Sequence, residues 1–466
     1  MGTTRRKRMW AAAAAAALGI QIMLGGTAAA EPDPVPIAPA QVVPTPPEFD
    51  GAFYDPRSDV VAAAQPGQIL AARQVNLAHF SLVPLNADAW QVSFRSTNTR
   101  GEPIAAVTTL MKPRGGTADA GRHLLSVQVA EDSLARYCAP SYALQQFSAP
   151  SPLTGQVVVP LEFLLHAAAA LHQGWAVAIP DYQGPNSAYA AGPLHARIVL
   201  DGIRAAENFE PLQLSGADTR VGLMGYSGGA IATGHAAELH DSYAPELNIV
   251  GAAEGGIPAD LGALVNLANN NLGAGMILGG VIGVSRESTE LAEFLDRTLT
   301  PEARLLVAAK DPLCVSYQSA LLPFSNMKGM IATAGDPLDD PVVREVLDDM
   351  AMGKHTPRTP MFMYQSNPDW LIPVGPVNDL VDTYCQDPNA RVQYTRDHAS
   401  EHLSLEPIAA PAAMMWMRDR MNGIPVEPGC SVTDVPSMAL DDATIPVWTE
   451  IVGETLAALF GKATGA

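Results

Sequence analysis

Acyl transfer by a serine needs three groups: the hydroxyl, a base that takes its proton, and a carboxylate that fixes the base's tautomer and stabilises its cation. The stretch Met224 to Ala230, MGYSGGA, crowds three glycines around Ser227. It follows the strand-like RVGLM and precedes the helix-compatible GGAIATGHAAELH, the strand, sharp turn and helix that a G-x-S-x-G elbow requires. Such a turn holds the serine in a strained backbone conformation where bulky neighbours collide, which accounts for Gly225 and Gly229 two residues to either side. The hydroxyl then stands above the sheet. The next amide, from Gly228, points into the same space at a helix N-terminus, where it suits an oxyanion. By itself the pentapeptide is common; its setting gives it weight.

In elbows of this kind the partners follow in the order serine, acid, histidine. The apolar run TPMFMYQ ends in SNPDWLIPV, which puts Asp369 in the loop after a buried strand, whereas Asp379 and Asp382 lie within the helix-like GPVNDLVDTYCQ. The bland reading of Asp369 is a turn residue after proline. The next run, ARVQYTRD, leads into HASEHLSLEP with two histidines. His402 is preferred to His398, because the loop needs length to bring a base over the serine. His235, two helical turns beyond Ser227, reads as packing. The same loop matches H-x-x-E-H, an inverted zinc-peptidase pattern through His398, Glu401 and His402. That site needs both histidines one turn apart on a helix and a third ligand. Asp397, Ser400 and Pro407 argue against a long helix there, so no metal and no cofactor is expected.

Positioning these groups takes a sheet. After Phe49, short β-branched runs alternate with alanine-rich helical stretches, the pattern of an α/β protein whose mostly parallel sheet is flanked by helices. AWQVSFRSTNTRGEPIAAVTTLMKP reads as an antiparallel hairpin turning at Arg100 and Gly101. HLLSVQVAED, GWAVAIPDYQG, TRVGLMGYSGG, LNIVGAAEGG, TPMFMYQSNPDW and ARVQYTRDHASEH are apolar runs that end in polar or glycine residues. In open α/β sheets ligands bind beyond the carboxyl ends of the strands, so chemistry is sought at those ends. Between Ile257 and Gly353 the rhythm gives way to helical segments. These predict an inserted cap, residues 257–353, dividing a core of residues 49–256 and 354–466. Its apolar run from Leu272 to Val284 is 13 residues, too short to span a bilayer. It reads as a buried helix, or as a lid segment that binds acyl chains or transiently touches a lipid interface.

The N-terminal end carries Arg5 to Arg8, an alanine-rich apolar stretch and Ala28-Ala29-Ala30, the form of a signal peptide, residues 1–30, cleaved near Ala30 for secretion. Residues 31–48, EPDPVPIAPAQVVPTPPE, hold seven prolines and predict an extended leader outside the core, with folded structure beginning near Phe49. Without residues 1–30 the chain has 24 Lys and Arg against 48 Asp and Glu, a net charge of −24. Such a surface repels nucleic acid. Cys138, Cys314, Cys385 and Cys430 make an even number in an oxidising compartment, which predicts two disulfides with three pairings open.

With FYDP, VQVAEDS, GWAVAIPDYQGPNSAYAAG, GYSGGAIATGHAAEL, Asp369 and EHLSLEPIAAPAAMMWMRDRMNGIPV, the chain resembles the secretory lipase family of the lipase A type. The resemblance runs from about Phe49 to the C-terminal region. It implies an α/β-hydrolase fold with a helical cap, and a Ser227, Asp369 and His402 triad acting on carboxylic esters, triacylglycerols among them. It also implies an oxyanion role for an aspartate at the end of the third sheet strand, Asp132 here. An anionic carboxylate would repel an oxyanion, so either the Asp132 amide or its protonated side chain must donate. The resemblance favours pairing Cys385 with Cys430, leaving Cys138 with Cys314. The expected function is a secreted, cofactor-independent serine ester hydrolase. Its rivals are acyl transfer on the same triad, a peptidase on the same fold, and a catalytically inactive binding protein in which the elbow is only a turn.

Overall fold

Apolar runs that alternate between two faces build one twisted sheet with a packed layer on each side. The computed structural model describes residues 35–114 and 121–459; the signal-peptide reading of residues 1–30 and the start of the leader lie outside the described residues. The strands of this sheet are β1 (Ile37–Ala38), β2 (Ile69–Gln74), β3 (Ala87–Thr97), β4 (Pro103–Pro113), β5 (Leu124–Gln128), β6 (Ala176–Pro180), β7 (Val221–Tyr226), β8 (Ile249–Gly255), β9 (Met361–Ser366), β10 (Arg391–Asp397) and β11 (Gly429–Val435), and Ala78–His79 with Val83–Pro84 form a separate two-stranded sheet. The order across the main sheet is β1-β2-β3-β4-β6-β5-β7-β8-β9-β10-β11. β3 and β4 form the expected antiparallel hairpin, and β4 also pairs antiparallel with β6. From β6 through β5 to β11 every neighbour is parallel. This is the α/β arrangement expected, with a mostly parallel sheet flanked by helices, and the six apolar runs singled out in the sequence become β5 to β10.

Strand alternation decides which residue enters which layer. Val221 and Leu223 of β7 and Met361 and Met363 of β9 pack on one face with helices α3 (Gly192–Glu207) and α4 (Gly228–Tyr243), for which Ile198, Val199 and Ile231 are among the contacts. Met224, Tyr226, Phe362 and Tyr364 pack on the other. That second layer contains two short helices, α1 (Val158–Glu162) and α2 (Ala168–His172), joined by a π turn at Phe163–Ala167. Between β8 and β9 the chain runs through α5 (Leu261–Ala268), α6 (Ala274–Ser285), α7 (Thr289–Thr298), α8 (Pro301–Lys310), α9 (Val315–Ala320) and α10 (Pro341–Met350). The apolar run from Leu272 is largely α6, buried at Ile277, Leu278 and Ile282. After β9 come α11 (Val374–Tyr384), α12 (His402–Met421) and α13 (Thr444–Leu459). No helix among the described residues is long and apolar enough to cross a membrane.

Two expectations are corrected. The proline-rich leader is not wholly outside the fold: Ile37 and Ala38 pair with Ala72 and Arg73 of β2, and Pro47 is buried. Proline is compatible with an edge strand because an outer edge needs no amide donor. Nor is the segment after Ser400 a short helix: α12 runs for 20 residues with Pro407 and Pro411 inside it. Each interior proline costs about 3 kcal/mol. Burial of Leu405, Met414, Met417 and Met421 contributes about 1.5–3 kcal/mol each, enough to offset the breaks.

Two disulfides join Cys138 to Cys314 and Cys385 to Cys430. The first ties the loop after β5 to the start of α9, between β8 and β9; the second ties the end of α11 to β11.

Candidate active site

β7 ends at Tyr226 and α4 begins at Gly228, leaving Ser227 as the only residue of the turn, with φ 51° and ψ −117°. A positive φ is strained for a residue with a Cβ. The strain is held by the Ser227 amide, which donates to the Gly255 carbonyl of β8 at 2.9 Å. A Cβ at Gly225 would meet the Gly229 carbonyl oxygen at 2.5 Å, and one at Gly229 would meet the Gln128 carbonyl oxygen at 1.9 Å. The two positions therefore admit only glycine because backbones approach closely across the elbow. Gly228 is glycine for a different reason: its Cβ would fall 1.8 Å from Oδ1 of Asp132.

The structure brings Ser227, His402 and Asp369 together. Nε2 of His402 lies 3.0 Å from the Ser227 hydroxyl, and its Nδ1 lies 2.9 Å from Oδ2 of Asp369. The Asp369 side chain is inaccessible to solvent. Its Oδ1 accepts from the amides of Leu371 and Ile372 at 2.8 and 2.9 Å, and its Oδ2 accepts from the Ser366 hydroxyl at 2.8 Å. Burial pushes this carboxyl up, but the His402 contact and the two amides outweigh it and hold its pKa below the usual range. Such a carboxylate stays ionised and fixes a proton on Nδ1, leaving Nε2 as the acceptor facing the serine.

Several contacts that the sequence did not single out hold this geometry. Tyr226, next to the serine, donates its hydroxyl to the His402 carbonyl at 2.6 Å. Trp370, next to the acid, donates Nε1 to Glu401 at 2.7 Å. Glu401 caps α12 by accepting from the amides of Leu403 and Ser404, and the Ser404 hydroxyl takes the Glu401 amide in return. Asp397 accepts from Ala399, Ser400 and Met438 amides and fixes the loop leading to the histidine. The motif positions gave only the adjacency of these residues.

Asp132 lies beside Gly228 with φ 44° and is 3% exposed. The Gln183 carboxamide satisfies its neighbours in one orientation: its nitrogen donates to the Ser133 carbonyl at 2.7 Å, and its oxygen accepts from the Asp132 amide at 3.0 Å. The Asp132 amide is therefore already engaged, whereas Oδ1 has no partner. Burial raises the carboxyl to about 7, with hydrogen bonding from its own amide and from Tyr189 offsetting only part. Near neutrality a large share of this side chain carries a proton. The Gly228 amide, first in α4, has no acceptor within its helix.

The remaining sequence candidates fall elsewhere. His398 binds Asp434 at 2.8 Å in the loop before α12, while His402 opens the helix, so the H-x-x-E-H residues do not share a helical face. His235 is buried with Nδ1 2.9 Å from the Ile231 carbonyl. Asp379 and Asp382 lie on α11.

Ser227 and Gly228 open onto a cavity of about 440 Å³ walled mainly by apolar side chains of the segment between β8 and β9, including Ile277, Val281, Leu295 and Val346. Leu371 and Ile372, from the loop of the acid, complete its wall.

The chain as a whole is similar to known proteins. The profile of a family described as secretory lipase matches residues 147–429. Lipase A of Arthroderma benhamiae is 36% identical, over 91% of this chain and 90% of its own. A Mycobacterium tuberculosis protein named a probable inactive lipase is also 36% identical, over 81% of this chain and 83% of its own. The X-ray structure of Candida antarctica lipase A is similar with a TM-score of 0.80 and 27% identity, over 90% of this chain and 95% of that one.

Proposed function

This chain belongs to the secretory lipase family, and on that premise we propose that Ser227, His402 and Asp369 are the triad with which it hydrolyses lipid esters. It is a carboxylic ester hydrolase of the lipase kind. His402 takes the Ser227 proton on Nε2 as the hydroxyl oxygen attacks the ester carbonyl. The Gly228 amide and the protonated Asp132 carboxyl hold the oxyanion. His402 then gives its proton to the departing alcohol, and water repeats the sequence to release the acid. The side chain of Asp132, rather than its amide, is assigned as donor because Gln183 already occupies the amide.

The observation that carries the reading is the unbroken pair of hydrogen bonds from Asp369 through His402 to Ser227. A relative named as inactive means that family membership alone does not secure turnover, and the assembled triad supports activity in this chain. Replacing Ser227 by Ala should lower hydrolysis of a p-nitrophenyl ester by about 10⁶-fold with an unchanged circular dichroism spectrum. Turnover persisting in that variant would remove Ser227 as nucleophile.

The cavity supports a fatty-acyl chain as the group beside Ser227, and residues 257–353 are assigned as the cap that encloses it. Leu305 and Phe324, which are exposed on that cap, support transient contact with a lipid surface. Family membership agrees with an extracellular protein. Residues 1–30 are assigned as a signal peptide, so the mature protein should begin at Glu31 by N-terminal sequencing; a start at Met1 would contradict the assignment.

A further inference from the structure

On the face of the sheet occupied by α1, α2 and α12, Glu162, His166 and Glu406 bring one ligand atom each to within 4.8 Å of one another. Glu162 and His166 are each 1% exposed, and 14% of the Glu406 side chain reaches solvent. Glu162 ends α1 and His166 lies in the π turn that follows. π turns inside helices concentrate at functional positions. Oε2 of Glu162 accepts from the Ala130 amide at 2.8 Å. Neither ring nitrogen of His166 has a hydrogen-bond partner, nor has Oε1 of Glu406, which lies 4.0 Å from Nδ1 of His166. A buried imidazole with both nitrogens unsatisfied is costly. The charged groups acting on Glu162 are Glu406 and Asp132, so neither brings a compensating positive charge.

We propose that Glu162, His166 and Glu406 form a structural site for a divalent cation of the zinc class. Two carboxylates and one imidazole suit Zn²⁺ better than Ca²⁺ or Mg²⁺, which prefer all-oxygen shells. Ligands at zinc distances stand about 3.3 Å apart in a tetrahedron. The present spread therefore requires a contraction, which rotation of the two glutamate side chains supplies. Entry is from the accessible side of Glu406. The site has a mechanical logic: Glu406 lies one turn along α12 from His402, and Glu162 holds the backbone two residues before Asp132. A cation there braces the helix of the base against the strand end of Asp132 without touching substrate. It is distinct from the H-x-x-E-H reading and contributes no group to ester cleavage.

The test uses the full secreted chain, stripped with a chelator, dialysed and titrated with ZnCl₂ by calorimetry, with thermal unfolding followed in parallel. The expected result is one Zn²⁺ per chain and a higher Tm that chelation reverses. Glu406→Gln and His166→Gln should each weaken binding by about 100-fold. Co²⁺ bound to the wild-type chain should give the visible absorption of a nitrogen and oxygen shell, a readout that does not depend on either variant folding. Failure of the wild-type chain to bind Zn²⁺, or binding by both folded variants as tight as wild type, would overturn the site.

Discussion

In the proposed mechanism Gly228 and Asp132 divide one task. The glycine supplies an amide that its helix leaves free, and its missing Cβ is what lets the Asp132 carboxyl lie against it. Because that carboxyl titrates at about 7 in the folded chain and near 3.8 when exposed, the folded state keeps a proton that the unfolded chain has lost. Its contribution to stability is complete below about pH 4 and is lost as pH rises through 7. Donation to the oxyanion needs the same proton, so kcat/KM should fall above about pH 7. Asp132→Asn, which donates from its amide at any pH, should remain active and lose that alkaline decline. Asp132→Ala should lower kcat by about 10²–10³-fold. A pH-rate profile of the three proteins checks this, and an alkaline limb surviving in the Asn variant would remove the carboxyl proton from the mechanism.

At the scale of elements, the proposed catalytic groups sit where strands β7 and β9 end and where α12 begins. Glu401 is the joint between them, capping α12 while it holds Trp370 beside Asp369. Glu401→Ala should cost about 1 kcal/mol of stability and lower kcat more than it raises KM, measured by urea unfolding and steady-state kinetics. A loss of stability with no change in kcat would make the cap purely structural. The strands that carry these groups were legible because they are buried on both faces, and buried runs such as VGLMGY and MFMYQS stand out against polar flanks. β11 was not legible: as the edge strand GCSVTDV it is mostly exposed and has no apolar face to reveal it. The length of α12 was hidden by Pro407 and Pro411, whose local preference is overridden by packing that no local rule contains. Glu162 and His166 stand four residues apart, but Glu406 lies too far along the chain for spacing to join it to them. The occupation of the Asp132 amide by Gln183 depends on the path of the loop after β6, which is invisible in residue types.

Across the whole molecule, a chain segment inserted between β8 and β9 walls the cavity into which the elbow opens. Each buried methylene is worth about 0.8 kcal/mol, so kcat/KM should climb along a series of esters from acetate to octanoate. Ile277→Trp, which fills the cavity, should reverse the climb while sparing the acetate; a variant that loses both alike would place the acyl chain elsewhere. The same series run on either side of substrate solubility tests contact between the cap and lipid, since activity that does not rise once an interface forms would speak against it. The deeper feature is that the fold joins a hydroxyl and an imidazole 175 residues apart in sequence, and on the proposed reading the hydroxyl is reactive only when they meet. Treatment with a fluorophosphonate, followed by digestion and mass spectrometry, reads that reactivity directly. One adduct per chain, on Ser227, with labelling greatly slowed in a His402→Ala variant, is the predicted result; no adduct, or an adduct on another serine of the folded protein, would contradict it.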